Sequence, residues 1–502
     1  MVTVRPSLSR NIVALWSALV IRLAVGLVFV PYIAASLGPS RYGVWTVLFQ
    51  IINYLALLDF GFEKAVVTFV ASFWGKGDHD GINRTLATSS RLYLWFGLAA
   101  FAGACLSAWL LLPHLRAEST EVLREGQMAL VIIGLFTALR FWFTPVTAAL
   151  GGFQRYDVVT SAQVVEDVVR TIVMIVLLGQ GYGLVALALA VLGFGFVRMG
   201  ISIWLLKCTF PQWRLTVSKD PALAKDLFSY SRITFGITIA WLIIFNTDSI
   251  ILGFMASTVA AGVFAPAAQL ALYSRHLINA IGTPLTAAAA HAGGAADLNQ
   301  SRERYLKLFG VASYAGFAMM AGVALYAEPF VKLWLPAGFE ETARAMIILA
   351  AGSAAFLPHI LSNAMLFALN RHRYLLITVA IEAGLKLVLA IALVGKYQVT
   401  GIALANAIPQ VVIYIAVYPV LAGRAIGISP SLLIGRQFRT AVLAIVFTLL
   451  PGKLIGLAWS ADNWVTLVAS MVGAAVISAA GFWISMSPDE RAEIRSRLLR
   501  RY

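Results

Sequence analysis

The sequence predicts an all-α, polytopic membrane protein of about fourteen transmembrane helices, and three observations carry the prediction. Hydrophobic residues make up 60% of the 502 residues and charged residues 12%, about half the roughly 25% of a soluble chain. Fourteen apolar stretches are each long enough to cross a bilayer as a helix, which takes about 20 residues. Lys and Arg are shared unequally between the loops that join them. So few charges cannot cover a surface in water, which excludes soluble enzymes and nucleic-acid modules despite the net charge of +15. Cys105 and Cys208 make neither a disulfide framework nor a paired metal-ligand spacing.

The first segment, 11–36, is too long for a cleaved leader, and no small-residue cleavage pattern follows it. Segments 44–73, 86–112, 127–150, 158–179 and 182–206 come next, and then a polar stretch from Cys208 to Asp226. Segments 228–255 and 258–290 precede a second polar stretch, Ala292 to Arg304, and 305–335, 343–368, 374–395 and 398–421 follow it. The last two are 437–458 and 463–486. All exceed the roughly 10 residues of a barrel strand. With the N-terminus inside, the inner loops and tails hold 22 Lys and Arg and the outer loops 7. That bias predicts that both termini face the cytoplasm. The tail from Ser487 to Tyr502 carries five arginines. It reads as a solvated end that fixes topology, or as a site for anionic headgroups.

The chain repeats itself. Gln154, Arg155, Glu166, Arg170 and Gly179 are matched 216 residues later by Asn370, Arg371, Glu382, Lys386 and Gly395. Both copies start at the inner face and cross outward. The repeat predicts two six-helix lobes related by an axis along the membrane normal, as in transporters. The expected domains are an N-lobe at 1–212, a C-lobe at 213–426, and two further helices with a basic tail at 427–502.

Charges inside the segments point to function. After Arg91 and Arg232, near enough to inner ends to snorkel, fourteen ionisable groups remain. At roughly 3 kcal/mol each, they would cost on the order of 40 kcal/mol against lipid, so they pair or line a hydrated cavity. Glu166 with Arg170, and Glu382 with Lys386, share a helix face at i, i+4; each pair either locks its lobe or touches cargo. Asp59 and Glu63 have the same spacing, a like-charge pair that suits a proton site or, alternatively, capping and interhelical bonds. Arg22, Arg140, Arg198 and Arg275 have no acid at helical spacing, and Asp248 and Glu328 are candidate partners from other helices. The positive excess suggests a cavity for an anionic cargo, since Arg matches phosphate; buried structural ion pairs are the alternative. Pro145, Pro266, Pro358 and Pro409 predict kinks. Of six histidines, only His276 is read as well inside a helix. No P-loop, H-E-x-x-H, nucleophile elbow or metal cluster occurs, so neither enzyme nor cofactor is expected.

Residues 37–69 read LGPSRYGVWTVLFQIINYLALLDFGFEKAVVTF. With GGFQRYD at 151–157 and Asp248 through Gly253, they resemble the polysaccharide-biosynthesis transport proteins. These are the Wzx-like, lipid-linked oligosaccharide flippases of the multidrug/oligosaccharidyl-lipid/polysaccharide exporter superfamily. The matching positions are Leu37, Gly38, Tyr42 and Gly43 after the first helix, Asp59 and Gly61 in the second, and Asp248 and Gly253 in the seventh. The resemblance covers residues 10 to about 425 and implies alternating access by two six-helix lobes around a hydrated cavity. The implied cargo is an undecaprenyl-pyrophosphate-linked saccharide for exopolysaccharide or O-antigen. Proton or sodium coupling, and a polymerase with its assembly proteins, are the implied partners. Two extra C-terminal helices depart from the usual twelve and suggest relatives that flip the peptidoglycan precursor. Arg22 in place of an acid in helix one argues against export of cationic drugs. An ion-coupled antiporter and a non-transporting scaffold stay open as rivals.

Overall fold

The computed structural model describes residues 8–214, 220–221, 223, 232–290, 295–459 and 461–485. The charged tail and about half of the inner stretch from Cys208 to Asp226 lie outside the described residues. All the regular structure described is helical. In chain order it comprises α1 (Leu8–Leu55), α2 (Phe62–Lys76), α3 (His79–Leu106), α4 (Thr120–Gly152), α5 (Tyr156–Gly179) and α6 (Leu184–Thr209). Then come α7 (Arg232–Asn246), α8 (Asp248–Met255), α9 (Thr258–Ala290), α10 (Ala295–Trp334), α11 (Glu341–Phe356) and α12 (His359–Ala368). The last four are α13 (Arg373–Val412), α14 (Tyr418–Ile426), α15 (Pro430–Ala458) and α16 (Trp464–Ser485). Each expected apolar segment falls on one or two of these helices. Among the described residues nine helical stretches are long and apolar enough to cross a membrane, and α7 with α8, bent by 50°, makes a tenth. One of the nine, Arg373–Ile426, holds two expected segments, and Trp16–Asp59 holds most of the first with the beginning of the second. Helix α5 has a spanning length but carries Glu166, Asp167 and Arg170 in its middle.

The breaks explain the difference between helices and segments. Gly38 has φ 71 and, with Pro39 behind it, separates segment one from segment two inside α1. Segment two is itself interrupted. A 3-10 turn, Ala56–Asp59, is followed by left-handed Phe60 and Gly61 before α2 begins. The shared helix face expected for Asp59 and Glu63 is therefore absent, because two left-handed residues stand between them. Segment seven breaks at Thr247, segment ten at Leu357–Pro358, and Gln398 (φ 43) divides segments eleven and twelve within α13. Pro358 is thus an expected proline that does end a helix.

The internal repeat is visible in the backbone. Gln154 and Asn370 both adopt left-handed φ, 60° and 55°. Gln154 N donates to Gly151 O (2.9 Å) and Arg155 N to Leu150 O (3.1 Å). Asn370 N donates to Phe367 O (3.1 Å) and Arg371 N to Leu366 O (2.8 Å), the same bonds 216 residues later.

By internal contacts the chain divides into two units, Met1–Ala265 and Pro266–Tyr502. In the first, α1 meets the start of α9 at backbone distance: a Cβ on Gly43 would lie 1.7 Å from Thr258 O, and one on Gly262 2.1 Å from Pro39 O. Ser40 and Thr258 share a hydroxyl hydrogen bond of 2.9 Å beside this approach. Further along α1, Gln50 and Asn53 bond to Ser249 (3.1 Å) and Asn246 (3.0 Å), and Tyr54 to Thr247. A core of Phe62, Tyr93, Phe141 and Phe210 packs α2, α3, α4 and α6 together. In the second unit, α10 packs on α11, α15 and α16, with Tyr326 and Leu467 in one buried cluster.

Candidate functional site

The broken second segment opens a cavity of about 300 Å³ in the first unit. Asp59 and Glu63 reach it from the break, Arg140 from α4, Gln163 from α5, and Arg198 and Ser202 from α6. Asp59 is fixed from both sides. Tyr93 on α3 donates its hydroxyl to it, and the N–H groups of Gly61 and Glu63 bond to it at the start of α2. Among the described residues neither Arg140 nor Glu63 has an oppositely charged side chain within ion-pair distance, though each feels the other's charge.

An ion-pair ladder lies beside the cavity. Arg170 binds Glu166 (3.1 Å) and Asp167 (2.7 Å) on its own helix. Arg22 on α1 crosses to Asp167 at 3.1 Å and donates to Gln163 at 3.1 Å. Arg198 on α6 approaches Glu166 at 3.4 Å. The Glu166 side chain is only 3% exposed and is held under two guanidinium groups. Three helices are thus joined by charges that would be costly to leave unpaired in a dry interior. Sequence spacing identifies the Glu166–Arg170 pair. The acids that meet Arg22 and Arg198 are Asp167 and Glu166, not Asp248 and Glu328.

The second unit uses the repeated positions differently. Glu382 and Lys386 are both 1% exposed. Tyr414 donates its hydroxyl to Glu382 at 2.7 Å, and Tyr414 stands 216 residues after Arg198, which meets Glu166. By the same offset Arg140, Phe143, Thr147, Arg198 and Ser202, all cavity-lining, correspond to Phe356, His359, Asn363, Tyr414 and Tyr418. Those five are buried and hold one another. Tyr418 donates to Asn363, the Phe356 and Tyr414 rings are 5.0 Å apart, and the His359 and Tyr418 rings 5.1 Å. His359 also bonds Tyr414 O (2.9 Å), Gln437 (3.2 Å) and Ser362 (3.1 Å). Sequence reading overlooked His359. It is fully buried at the start of α12, whereas His276, read as the interior histidine, is exposed. The 216-residue offset from Phe143 is the signal that points to it.

Of the remaining expected site residues, Arg275 is half-buried in α9, near enough to Glu382 to act on its charge. Asp248 is buried as the first residue of α8. Among the described residues no group of three metal-ligating side chains converges.

Residues 8–287, more than half of the chain, match the family described as polysaccharide biosynthesis protein. The chain belongs to that family. A Bacillus subtilis (strain 168) relative, the uncharacterized membrane protein EpsK, is 22% identical over 483 residues, covering 93% of each chain. Two solved structures share the fold. The lipid II flippase MurJ in an inward closed conformation superposes with TM-score 0.73 at 14% identity, over 94% of this chain and 97% of its own. A multidrug resistance MATE family transporter of the MOP superfamily, inward-facing, gives 0.67 at 15% identity, over 81% and 98%. The family assignment agrees with the resemblance carried by Leu37–Gly43 and Asp59–Gly61, and the structure gives those glycines their reasons: left-handed backbone at Gly38 and Gly61, and helix approach at Gly43.

Proposed function

We propose that the protein is a flippase that carries an undecaprenyl-pyrophosphate-linked oligosaccharide or polysaccharide repeat unit across the bacterial inner membrane by alternating access, with both termini cytoplasmic. One observation carries the reading: a bundle of the polysaccharide biosynthesis family keeps an open, charged cavity at Arg140. A scaffold gains nothing from such a hole, since a charge at membrane depth without an ion-pair partner is costly; a transporter needs it. Arg140 is the arginine we assign to direct cargo contact. Arg22 and Arg198 hold the cavity wall through Asp167 and Glu166, and Arg275 acts with Glu382 and Lys386 in the second unit. Glu63 is the carboxylate we assign to coupling, because Asp59 is already committed to Tyr93 and the α2 backbone. The peptidoglycan precursor remains the second cargo to test, given the fold shared with MurJ.

The test is flipping of fluorescent lipid-linked saccharides in proteoliposomes, with Arg140→Gln as the variant. Normal membrane abundance with flipping lowered tenfold to a hundredfold, roughly the worth of one charge-assisted contact, is the expected result. Unchanged flipping by Arg140→Gln removes that assignment. Absence of flipping for every saccharide tried, with folded parent protein, removes the function.

A further inference from the structure

The cavity of the first unit is balanced in charge, and this bears on which part of a cargo it takes. Its charged lining residues are Asp59 and Glu63 against Arg140 and Arg198, two of each sign. The ladder beside it adds Glu166 and Asp167 against Arg22 and Arg170, again two of each. A lipid pyrophosphate brings at least two negative charges. Here it would meet two carboxylates in a medium of lowered dielectric, with Arg198 already engaged by Glu166 and Arg22 by Asp167. An organic cation would meet two guanidinium groups instead.

A sugar ring fits where neither ion does. Each of its hydroxyls donates and accepts, so it needs carboxylates and donors side by side. Glu63 and Arg140 supply one of each, neither with an oppositely charged side chain within ion-pair distance among the described residues. The Gln163 carbonyl is taken by Arg22, which leaves its NH₂ group to donate. Phe136 and Phe143 line the same space and offer apolar faces to the C–H side of a pyranose. The volume, about 300 Å³, is at the small end of ligand pockets, roughly 300–1,000 Å³, and too small for a long oligosaccharide. The site is also one-sided: at the offset of 216 the second unit fills five corresponding positions with bonded, buried side chains.

We propose that the cavity between Asp59, Glu63, Arg140 and Gln163 is a saccharide subsite that takes a terminal neutral or singly charged sugar ring of the cargo, and that the pyrophosphate is held elsewhere. The inference rests on the reading of the chain as a transporter of lipid-linked saccharide.

The test is protection of a cysteine in the cavity wall of the full chain in nanodiscs. Cys105 and Cys208 are replaced by Ser, and Ser202→Cys and Thr147→Cys are made separately, so that a fold defect in one leaves the other. Alkylation by a small thiol reagent is timed with lipid-free hexoses, N-acetylhexosamines and hexuronates, with inorganic pyrophosphate, and with tetraphenylphosphonium. At least one sugar is expected to slow alkylation, the two ions are not, and Arg140→Gln should raise the half-protecting sugar concentration about tenfold. Protection by pyrophosphate or tetraphenylphosphonium but by no sugar overturns the proposal, as does no protection at all. Flipping measured on the same preparations separates the two readings. Intact flipping without sugar protection defeats the subsite alone, whereas no flipping of any lipid-linked saccharide defeats the function.

Discussion

Neutralising Glu166 tests whether the charges of the first unit are wall or cargo site. The side chain is 3% exposed, with Arg170 at 3.1 Å and Arg198 at 3.4 Å. Glu166→Gln leaves Arg170 its second partner, Asp167 at 2.7 Å, but strips Arg198 of the one acid within ion-pair reach among the described residues. Breaking a fully buried pair costs about 3–5 kcal/mol. The arginines are 24% and 32% exposed and glutamine still accepts a hydrogen bond, so the expected loss is about 2–3 kcal/mol. Arg198→Gln leaves Glu166 paired with Arg170 and should lose less, about 1–2 kcal/mol. The double variant should fall short of the sum by about 1 kcal/mol, since the two changes remove one shared interaction. Arg140→Gln breaks no ion pair and should stay within about 0.5 kcal/mol of the parent. The assay is unfolding by dodecyl sulfate in mixed micelles, followed by tryptophan fluorescence. Strict additivity of Glu166→Gln and Arg198→Gln, or an Arg140→Gln loss as large as that of Arg198→Gln, would refute the division of the arginines into wall and cargo groups.

Three further outcomes are expected. Gly43→Ala forces a Cβ to 1.7 Å from Thr258 O, so α1 and α9 must separate; thermal stability should fall by the equivalent of about 1–3 kcal/mol or more, and Gly75→Ala, with open space around it, should show no such clash. Tyr418→Ser puts at 418 the residue found at 202 and empties part of the plug; a loss of about 3–5 kcal/mol in the same unfolding assay is expected, and less than about 1 kcal/mol would mean that Tyr418 does not fill that space. Glu63→Gln should abolish the response of flipping to an imposed pH gradient while abundance is kept; a full response would move the coupling carboxylate elsewhere.

The helices were legible because a bilayer imposes a length and an apolarity that survive any packing arrangement. Their breaks were less so. Gly38 and Pro39 announce themselves, but left-handed Phe60, Thr247 at the α7–α8 bend and Gln398 are residues that most helices accept, and only the tertiary fold selects them. Pairing shows the same limit. Glu166 and Arg170 meet because helix geometry brings i and i+4 together, so spacing found them. Arg22 and Asp167 are 145 residues apart. Their meeting depends on the rotation of α1 against α5, and spacing carries no information about that. The excess of positive charge read from the sequence was therefore an artefact of unseen partners, at least for Arg22 and Arg198.

The turns at Gln154 and Asn370 share one backbone form, yet the helices that follow them are packed differently in the two units. Both units keep the buried glutamate, Glu166 or Glu382, and a cation four residues on, Arg170 or Lys386. What differs is the group facing the glutamate. In the first unit it is charged, Arg198, and the helix carries an additional acid, Asp167; in the second it is the neutral Tyr414, and the position after the glutamate is Ala383. Acid and base have changed together, so each unit stays compensated. Tyrosine still donates to the carboxylate, but its ring also fills space, and with Tyr418 and His359 it turns the positions of an opening into a packed polar core. A phenol buried with its hydrogen bond made is stable where an unpaired guanidinium would not be. Arg198 opposite Glu166 thus goes with an open, charged cavity in the first unit, and Tyr414 opposite Glu382 with a packed polar core in the second.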